Sequence, residues 1–338
     1  MIKDLVKQLA DKRSISAEQM RQVMREILSG STDTADIVNF LTSLNEKGET
    51  VEELTAAVEE MLRYTDPIIV DASPILDTCG TGGDRKGTFN ISTAAALVSS
   101  GAGITVAKHG NRSASSKCGS ADILEALGVN IDMDRAAISG CLKDIGIAFL
   151  FAQNLHPAMK NVMPARKQIP GKTMFNILGP LINPARATNQ LVGVYSREWT
   201  SSLARVLHNL GSLHVLVVHG SDGLDEVTTT DKTFVSEVNN GIFRDYEITP
   251  GEFGLQQAKQ GDLAGGSIGE NAGIIRSVLK GENGPARDIV LLNSACAIYA
   301  ADKAKSILHG LRLAEESIDS GAAMKKLELL KEYSHKYG

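Results

Sequence analysis

Residues 75–84 read Ile75-Leu76-Asp77-Thr78-Cys79-Gly80-Thr81-Gly82-Gly83-Asp84, and Asn90-Ile91-Ser92-Thr93 follows before the apolar stretch AAALVSS. An apolar run, a glycine-rich turn and a helix-like stretch make a strand–turn–helix unit. Three glycines within four positions let successive amides face one concavity, a nest suited to phosphate oxygens. Hydroxyls and free amides at the start of the next helix, where its dipole is positive, suit a pyrophosphate. The plain alternative is a turn followed by a Ser/Thr-capped helix with no ligand.

Outward from this unit, short apolar runs recur at Ile104–Ala107, Ile147–Phe151, Leu191–Tyr195 and Leu213–Val218, separated by helix-length segments. That alternation predicts a mostly parallel sheet covered by helices. Residues 233–248, TFVSEVNNGIFRDYEI, predict an antiparallel hairpin around Asn239-Asn240-Gly241, and residues 269–338 read as mostly helical. Upstream, residues 1 to about 65 read as helices in series. Ser16 with Gln19 and Thr50 with Glu53 each fit a capping box. Met20, Val23, Met24, Ile27 and Leu28 mark one apolar face, with others at Ile37, Phe40, Leu41 and Leu44 and at Leu54, Val58, Met61 and Leu62. Such faces must be buried against one another or a second subunit. The expected fold class is α/β: a small N-terminal helical domain plus a larger α/β domain with a mostly parallel central sheet covered by helices. Residues 1–70, joined by part of 160–190, are expected to form the first domain, and 71–338 the second.

Composition narrows the functional classes. The chain has 338 residues, 43% hydrophobic and 22% charged, enough for a substantial core. Aromatics at 4% leave little for stacking on single-stranded nucleic acid. Thirty-five basic against 40 acidic residues, a net of −5, argue against a general nucleic-acid or anionic-membrane binder. Cys79, Cys118, Cys141 and Cys296 form no C-x-x-C pair, so reduced thiols are expected. The opening MIKDLVKQLADKRS lacks an apolar leader core, and no apolar run approaches the ~18 residues that span a bilayer. A soluble cytoplasmic protein is expected.

The placement of charge says more than its total. No acidic residue lies between Asp84 and Asp122, nor between Asp144 and Glu198, where Lys160, Arg166, Lys167, Lys172, Arg186 and Arg197 are found. An acidic chain that keeps two such stretches free of carboxylates spares an anion from repulsion. The first stretch holds Lys108-His109-Gly110-Asn111-Arg112-Ser113-Ala114-Ser115-Ser116, placed at a strand's C-terminal edge, where open α/β sheets bind ligands. Lys108 can serve pyrophosphate as a point charge and Asn111 offers both donor and acceptor, whereas His109 alone reads as a structural hydrogen-bonder. Asp225-Glu226, in HGSDGLDEVT, is a solvated pair unless a polyphosphate stands opposite; then it supplies the oxygens Mg²⁺ needs. Common fingerprints fail: Arg85 breaks G-x-G-x-x-G, Arg166 breaks a P-loop, and Ser267 reads as a helix start rather than a nucleophile.

Taken together, DTCGTGGD, NIST, KHGNRSASS, GSADILEALGVNID, HPAMK, TMFNILGPLINPA, GLDEV and GGSIGENAGIIRSVL resemble the anthranilate phosphoribosyltransferase family across nearly the whole chain. The resemblance implies transfer of the 5-phosphoribosyl group from phosphoribosyl pyrophosphate (PRPP) to the amino group of anthranilate in tryptophan biosynthesis. It implies two Mg²⁺ ions per site, a homodimer paired through the N-terminal helices, and an active site at the hinge between domains. By matching positions, Gly80, Gly83, Asp84, Thr88, Asn90, Ser92, Thr93, Lys108, Asn111, Ser115, Ser116 and Ser120 should hold PRPP. Ser92, Asp225 and Glu226 should serve the metal; Gly80, His109, Asn111, His156 and Arg166 should line the anthranilate path, with Arg166 on its carboxylate. Lys108, Asn111 and Arg166 would align the substrates, with no covalent catalyst. Lys172 and Ile182 depart from the family pattern, and Pro170-Gly171 is unusual in that loop. The rivals are a pyrimidine nucleoside phosphorylase and a non-catalytic nucleic-acid-binding relative. The Asn111-Arg112 and Asp225-Glu226 pairs oppose the first, and the net charge of −5 opposes the second.

Overall fold

The computed structural model describes residues 1–112 and 118–338. Four helices open the chain: α1 (Ile2–Ala10), α2 (Ala17–Leu28), α3 (Thr34–Lys47) and α4 (Val51–Arg63). Both expected capping boxes form, with Ser16 Oγ accepting from Gln19 N and Thr50 Oγ1 from Glu53 N, each at 3.2 Å. The apolar stripes are covered within the one chain. Met20, Met24, Phe40, Leu44 and Leu54 are wholly buried, so these faces do not require a second subunit. They pack with Val162, Ala165, Met174, Phe175 and Leu178, and with the side of the sheet that carries Val192, Val215 and Val217.

The seven-stranded sheet has the order β3-β2-β1-β4-β5-β6-β7. Its strands are β1 (Ile75–Gly80), β2 (Thr105–Gly110), β3 (Ile147–Phe151), β4 (Asn189–Gly193), β5 (His214–Gly220), β6 (Thr233–Asn239) and β7 (Ile242–Ile248). β1 to β5 pair in parallel, and β6 and β7 add the expected antiparallel hairpin, turning at Asn240-Gly241. β4 begins and ends two residues earlier than its apolar run suggests, because the amide of Tyr195 donates to Thr81 Oγ1 (3.1 Å) rather than to the ladder. The remaining helices are α5 (Ile91–Gly101), α6 (Ser120–Ala126), α7 (Arg135–Ile145), the short α8 (Ala152–Leu155), α9 (Met163–Arg166) and α10 (Phe175–Leu178), α11 (Trp199–Asn209), α12 (Ile268–Leu279), α13 (Pro285–Ala300), α14 (Ile307–Asp319) and α15 (Ala322–Tyr337). α5 is enclosed by α13, α14 and α15, which is why its alanines, Ser99 and Ser100 are buried. No described helix is long and apolar enough to cross a membrane.

The chain runs outward from β1 through β2 to β3, then returns to the other side of β1 with β4 and β5. This reversal opens a crevice at the carboxyl ends of β1 and β4, the place where such sheets bind ligands. Helical and sheet layers meet beside it.

Glu53 shows how tightly the helical layer is built. Its carboxylate accepts from Thr50 N and Ile15 N, both at 2.9 Å, and from Lys47 Nζ at 2.7 Å, with both charged side chains almost fully buried. Glu53→Ala leaves the buried Lys47 ammonium with only Ser14 Oγ (3.3 Å) and no counter-charge, and should cost about 3–5 kcal/mol, whereas Glu53→Gln should cost less. Urea unfolding of the two variants checks the order.

Candidate active site

The crevice is lined first by the turn after β1. Thr81 N donates to Gly193 O (2.8 Å), which pins the turn across the β1/β4 boundary. The loop after β5 then folds against it. A Cβ at Gly80 would lie 2.6 Å from Asp225 Oδ2, and one at Gly193 would overlap the Asp225 carbonyl. Both positions must therefore be glycine for the loop carrying the acids to approach. Gly82 N donates to Asp225 Oδ2 (2.6 Å) and Ser92 N donates to Glu226 Oε1 (3.1 Å). The acids thus occupy amides of the same turn and helix start that the sequence offers to phosphate.

Neither acid is comfortable there. Burial pushes the Asp225 carboxyl up, and the charge of Asp84 pushes it further. Burial also raises Glu226, with Asp225 as the next cause. Among the described residues no set of three or more His, Cys, Asp or Glu side chains is arranged around a common metal position. Two crowded carboxylates with no closed cage fit a hard cation that takes its remaining oxygens from water and substrate phosphate.

Lys108 lies beneath this site. Its ammonium donates to Thr78 O (2.5 Å) and Ser92 Oγ (3.3 Å). Burial lowers its pKa, while the charges of Asp77, Cys79 and Glu226 oppose that. The first turn of α5 completes the wall. Thr93 Oγ1 is buried with no hydrogen-bond partner among the described residues, and Asn90 Oδ1 accepts from Cys118 Sγ (3.6 Å). Thr88 pairs with Ala264 in an isolated bridge that brings residues 261–271 to the site. Asn271 Oδ1 accepts from Gly266 N (2.7 Å), and its amide donates to Cys118 Sγ (2.7 Å). Ser267 caps α12 in a capping box with Glu270, as the sequence suggests, and no nucleophile is made of it.

On the β2/β3 side, Asn111 Oδ1 accepts from Gln153 Nε2 (3.1 Å), and Ser120 Oγ donates to Asn111 O (3.3 Å). His109 and His156 meet Nε2 to Nε2 at 3.0 Å, and His156 Nδ1 lies 3.0 Å from Thr65 Oγ1 at the end of the helical layer. Burial, then the neighbouring His156, holds His109 well below its ordinary value; burial pushes His156 down to about 4. Both rings are neutral at physiological pH and shape the wall without supplying charge. Arg166, on α9, lies over the Phe175 ring at 5.9 Å. Among the described residues no carboxylate pairs with it and no hydrogen bond joins it to the rest of the set. Ser115 and Ser116 fall outside the described residues.

The structure therefore gathers Gly80, Gly83, Asp84, Thr88, Asn90, Ser92, Thr93, Lys108, Asp225 and Glu226 at one crevice, with His109, Asn111, Ser120 and His156 beside it and Arg166 at its helical margin. Sequence reasoning misses the parts played by Asp77, Asn183 and Asn271. All three lie inside quoted motifs, but buried side-chain bonding has no linear signature.

A family model for the glycosyl transferase family a/b domain matches residues 72–324, and one for its helical bundle domain matches residues 3–65. The anthranilate phosphoribosyltransferase of Methanocorpusculum labreanum is 50% identical over 331 residues, 98% of this chain and 97% of that protein. The chain belongs to the anthranilate phosphoribosyltransferase family. The crystal structure of the Thermus thermophilus member matches with a TM-score of 0.93 at 41% identity, over 98% of this chain and 99% of that one. The Saccharomyces cerevisiae member in complex with PRPP and Mg matches at 0.90 and 30% identity, over 99% of this chain and 98% of that one.

The neutral histidine pair makes stability depend on pH. The unfolded rings take protons near 6.5, and the folded rings resist them down to about 4 for His156. The unfolded state then binds more protons, so stability is full above about 6.5 and falls as pH drops toward 4. Denaturant midpoints between pH 7 and 5 should fall less steeply for a His109→Gln, His156→Gln double variant than for the parent.

Proposed function

We infer that this chain transfers the 5-phosphoribosyl group of PRPP to the amino group of anthranilate, releasing pyrophosphate. The observation that carries the reading is the convergence of the Gly80–Asp84 turn, the start of α5 and the Asp225–Glu226 pair on the β1/β4 crevice. It is a site for a polyanion and a hard cation together.

Gly80, Gly83, Asp84, Thr88, Asn90, Ser92 and Thr93 seat the pyrophosphate and ribose in this reading. Asn111, Ser115, Ser116 and Ser120 complete that seat. Lys108, held on Thr78 O and Ser92 Oγ, supplies a fixed positive charge below it. As the C1–oxygen bond breaks, negative charge grows on pyrophosphate, and preorganised amides stabilise it without reorienting. Ser92, Asp225 and Glu226 would hold Mg²⁺, two ions in this reading. When bound, these ions supply positive charge to the leaving oxygens. Arg166 holds the anthranilate carboxylate, and Gly80, His109, Asn111 and His156 shape the approach of its amine. An aromatic amine is neutral at physiological pH, so its lone pair is free and no strong base is needed. Attack proceeds by direct displacement with inversion at C1 and no covalent intermediate; alignment supplies much of the acceleration.

Residues 1–70 with part of 160–190 act as one unit against 71–338, with the site at their hinge. Two copies pair through the N-terminal helices, a reading that rests on resemblance because the apolar stripes are already covered. The enzyme works in the cytoplasm, consistent with four buried cysteines, none of them in a disulfide.

Anthranilate fluorescence should fall only when protein, PRPP and Mg²⁺ are all present, with pyrophosphate released. Loss without PRPP, or none with all three, would reject the reading. Asp225→Asn with Glu226→Gln should lower turnover about a hundredfold or more while circular dichroism stays unchanged. Arg166→Ala should raise the anthranilate KM about ten- to a hundredfold, the size of one charge-assisted hydrogen bond, and leave the PRPP KM near its parent value.

A further inference from the structure

We propose that Lys172 is a pyrophosphate-binding residue, its ammonium swinging from the Tyr195 ring to the oxygens of a pyrophosphate seated on the Gly80–Asp84 turn. The inference rests on reading that turn as the pyrophosphate seat.

Lys172 precedes Thr173 and Met174, both buried, so its backbone is anchored on that side. Its Nζ lies 3.0 Å from the centroid of the Tyr195 ring. Among the described residues no carboxylate forms an ion pair with it. The ammonium also abuts the turn: a Cβ placed at Gly83 would lie 3.3 Å from Lys172 Cε and 3.5 Å from Nζ. Burial lowers its pKa, Arg85 lowers it further, and Asp225 and Asp84 pull the other way. Two cations beside a nest of amides, neither bonded to a carboxylate among the described residues, make a place for anionic oxygen.

Tyr195 acts as a rest position. Its amide donates to Thr81 Oγ1 (3.1 Å), which fixes the ring against the same turn, and the Trp199 indole lies near its hydroxyl. A cation over an aromatic face is held more weakly than one bonded to phosphate oxygens. Pyrophosphate therefore draws Lys172 off the ring. Lys108 cannot play this part, because its ammonium is committed to Thr78 and Ser92 inside the protein.

Trp199 is the only tryptophan in the chain, so its emission reports on the Tyr195 contact. The full chain would be titrated with magnesium pyrophosphate by calorimetry and by Trp199 fluorescence, as parent, K172M, K172Q and K172R. The two neutral variants should bind about ten- to a hundredfold more weakly, and K172R within about threefold of the parent. At saturation the emission should change in the parent and not in K172M. The PRPP KM should rise in K172M while the anthranilate KM does not. Parent-like pyrophosphate affinity in folded K172M and K172Q would overturn the role of Lys172 and leave the turn as the seat. Unchanged emission in the saturated parent would overturn the swing. A folded parent that binds no pyrophosphate would instead reject the seat itself, and the inference with it.

Discussion

Asp77 is the constraint on which the site depends. It is wholly buried in the middle of β1, and burial raises its pKa against the opposing charge of Lys108. Its carboxylate accepts from His109 N (3.1 Å), Asn183 Nδ2 (2.7 Å) and Cys79 Sγ (3.3 Å). Asn183 also donates to Ala107 O (2.8 Å). One buried acid thus ties β1 to the end of β2 and to the segment returning from the helical layer. A charge out of water is costly unless every lone pair is met, so these partners cannot drift independently. They set the strand end that carries Lys108 and His109.

A second electrostatic layer is incomplete within the protein. Asp84 raises the cost of ionising Asp225, and Asp225 that of ionising Glu226, yet the two adjacent acids hold the amides of Gly82 and Ser92. Those amides are the donors that a phosphate would take. In the proposed reading, cation binding to the acids and anion binding to the turn would be one linked event, since each would relieve the repulsion that the other would face. The helical layer reaches the same region through Thr65 on His156 and through Lys172 on Tyr195. Substrate chemistry and the packing of the two layers share residues.

Much of this is legible in the linear chain. The Thr50–Glu53 capping box is local, needing only three residues of spacing, and it forms as read. The same carboxylate's bonds to Ile15 and Lys47 are not local, and nothing near residue 53 announces them. The apolar stripes of α2 and α3 are plain, but periodicity leaves open whether they meet each other or another subunit. The structure buries them chiefly within the helical layer, α2 on α4 and α3 on α1 and α9. β4 likewise reads two residues late, because apolar content cannot say that Thr81 captures the Tyr195 amide.

The linear chain suffices for the element order, the parallel sheet with its terminal hairpin and the glycine-rich turn at Gly80–Gly83. These follow from periodicity and glycine content, which are short-range properties, whereas the phosphate and metal roles assigned to single residues rest on the family resemblance. Folding alone lays Asp225 and Glu226 on the Gly82 and Ser92 amides. It also places Lys108 beneath the site, keeps the His109–His156 pair neutral and sets Lys172 against the turn. These arrangements join residues far apart in the chain, through the sheet's reversal at β1 and through burial, and none of them exists until the chain is folded.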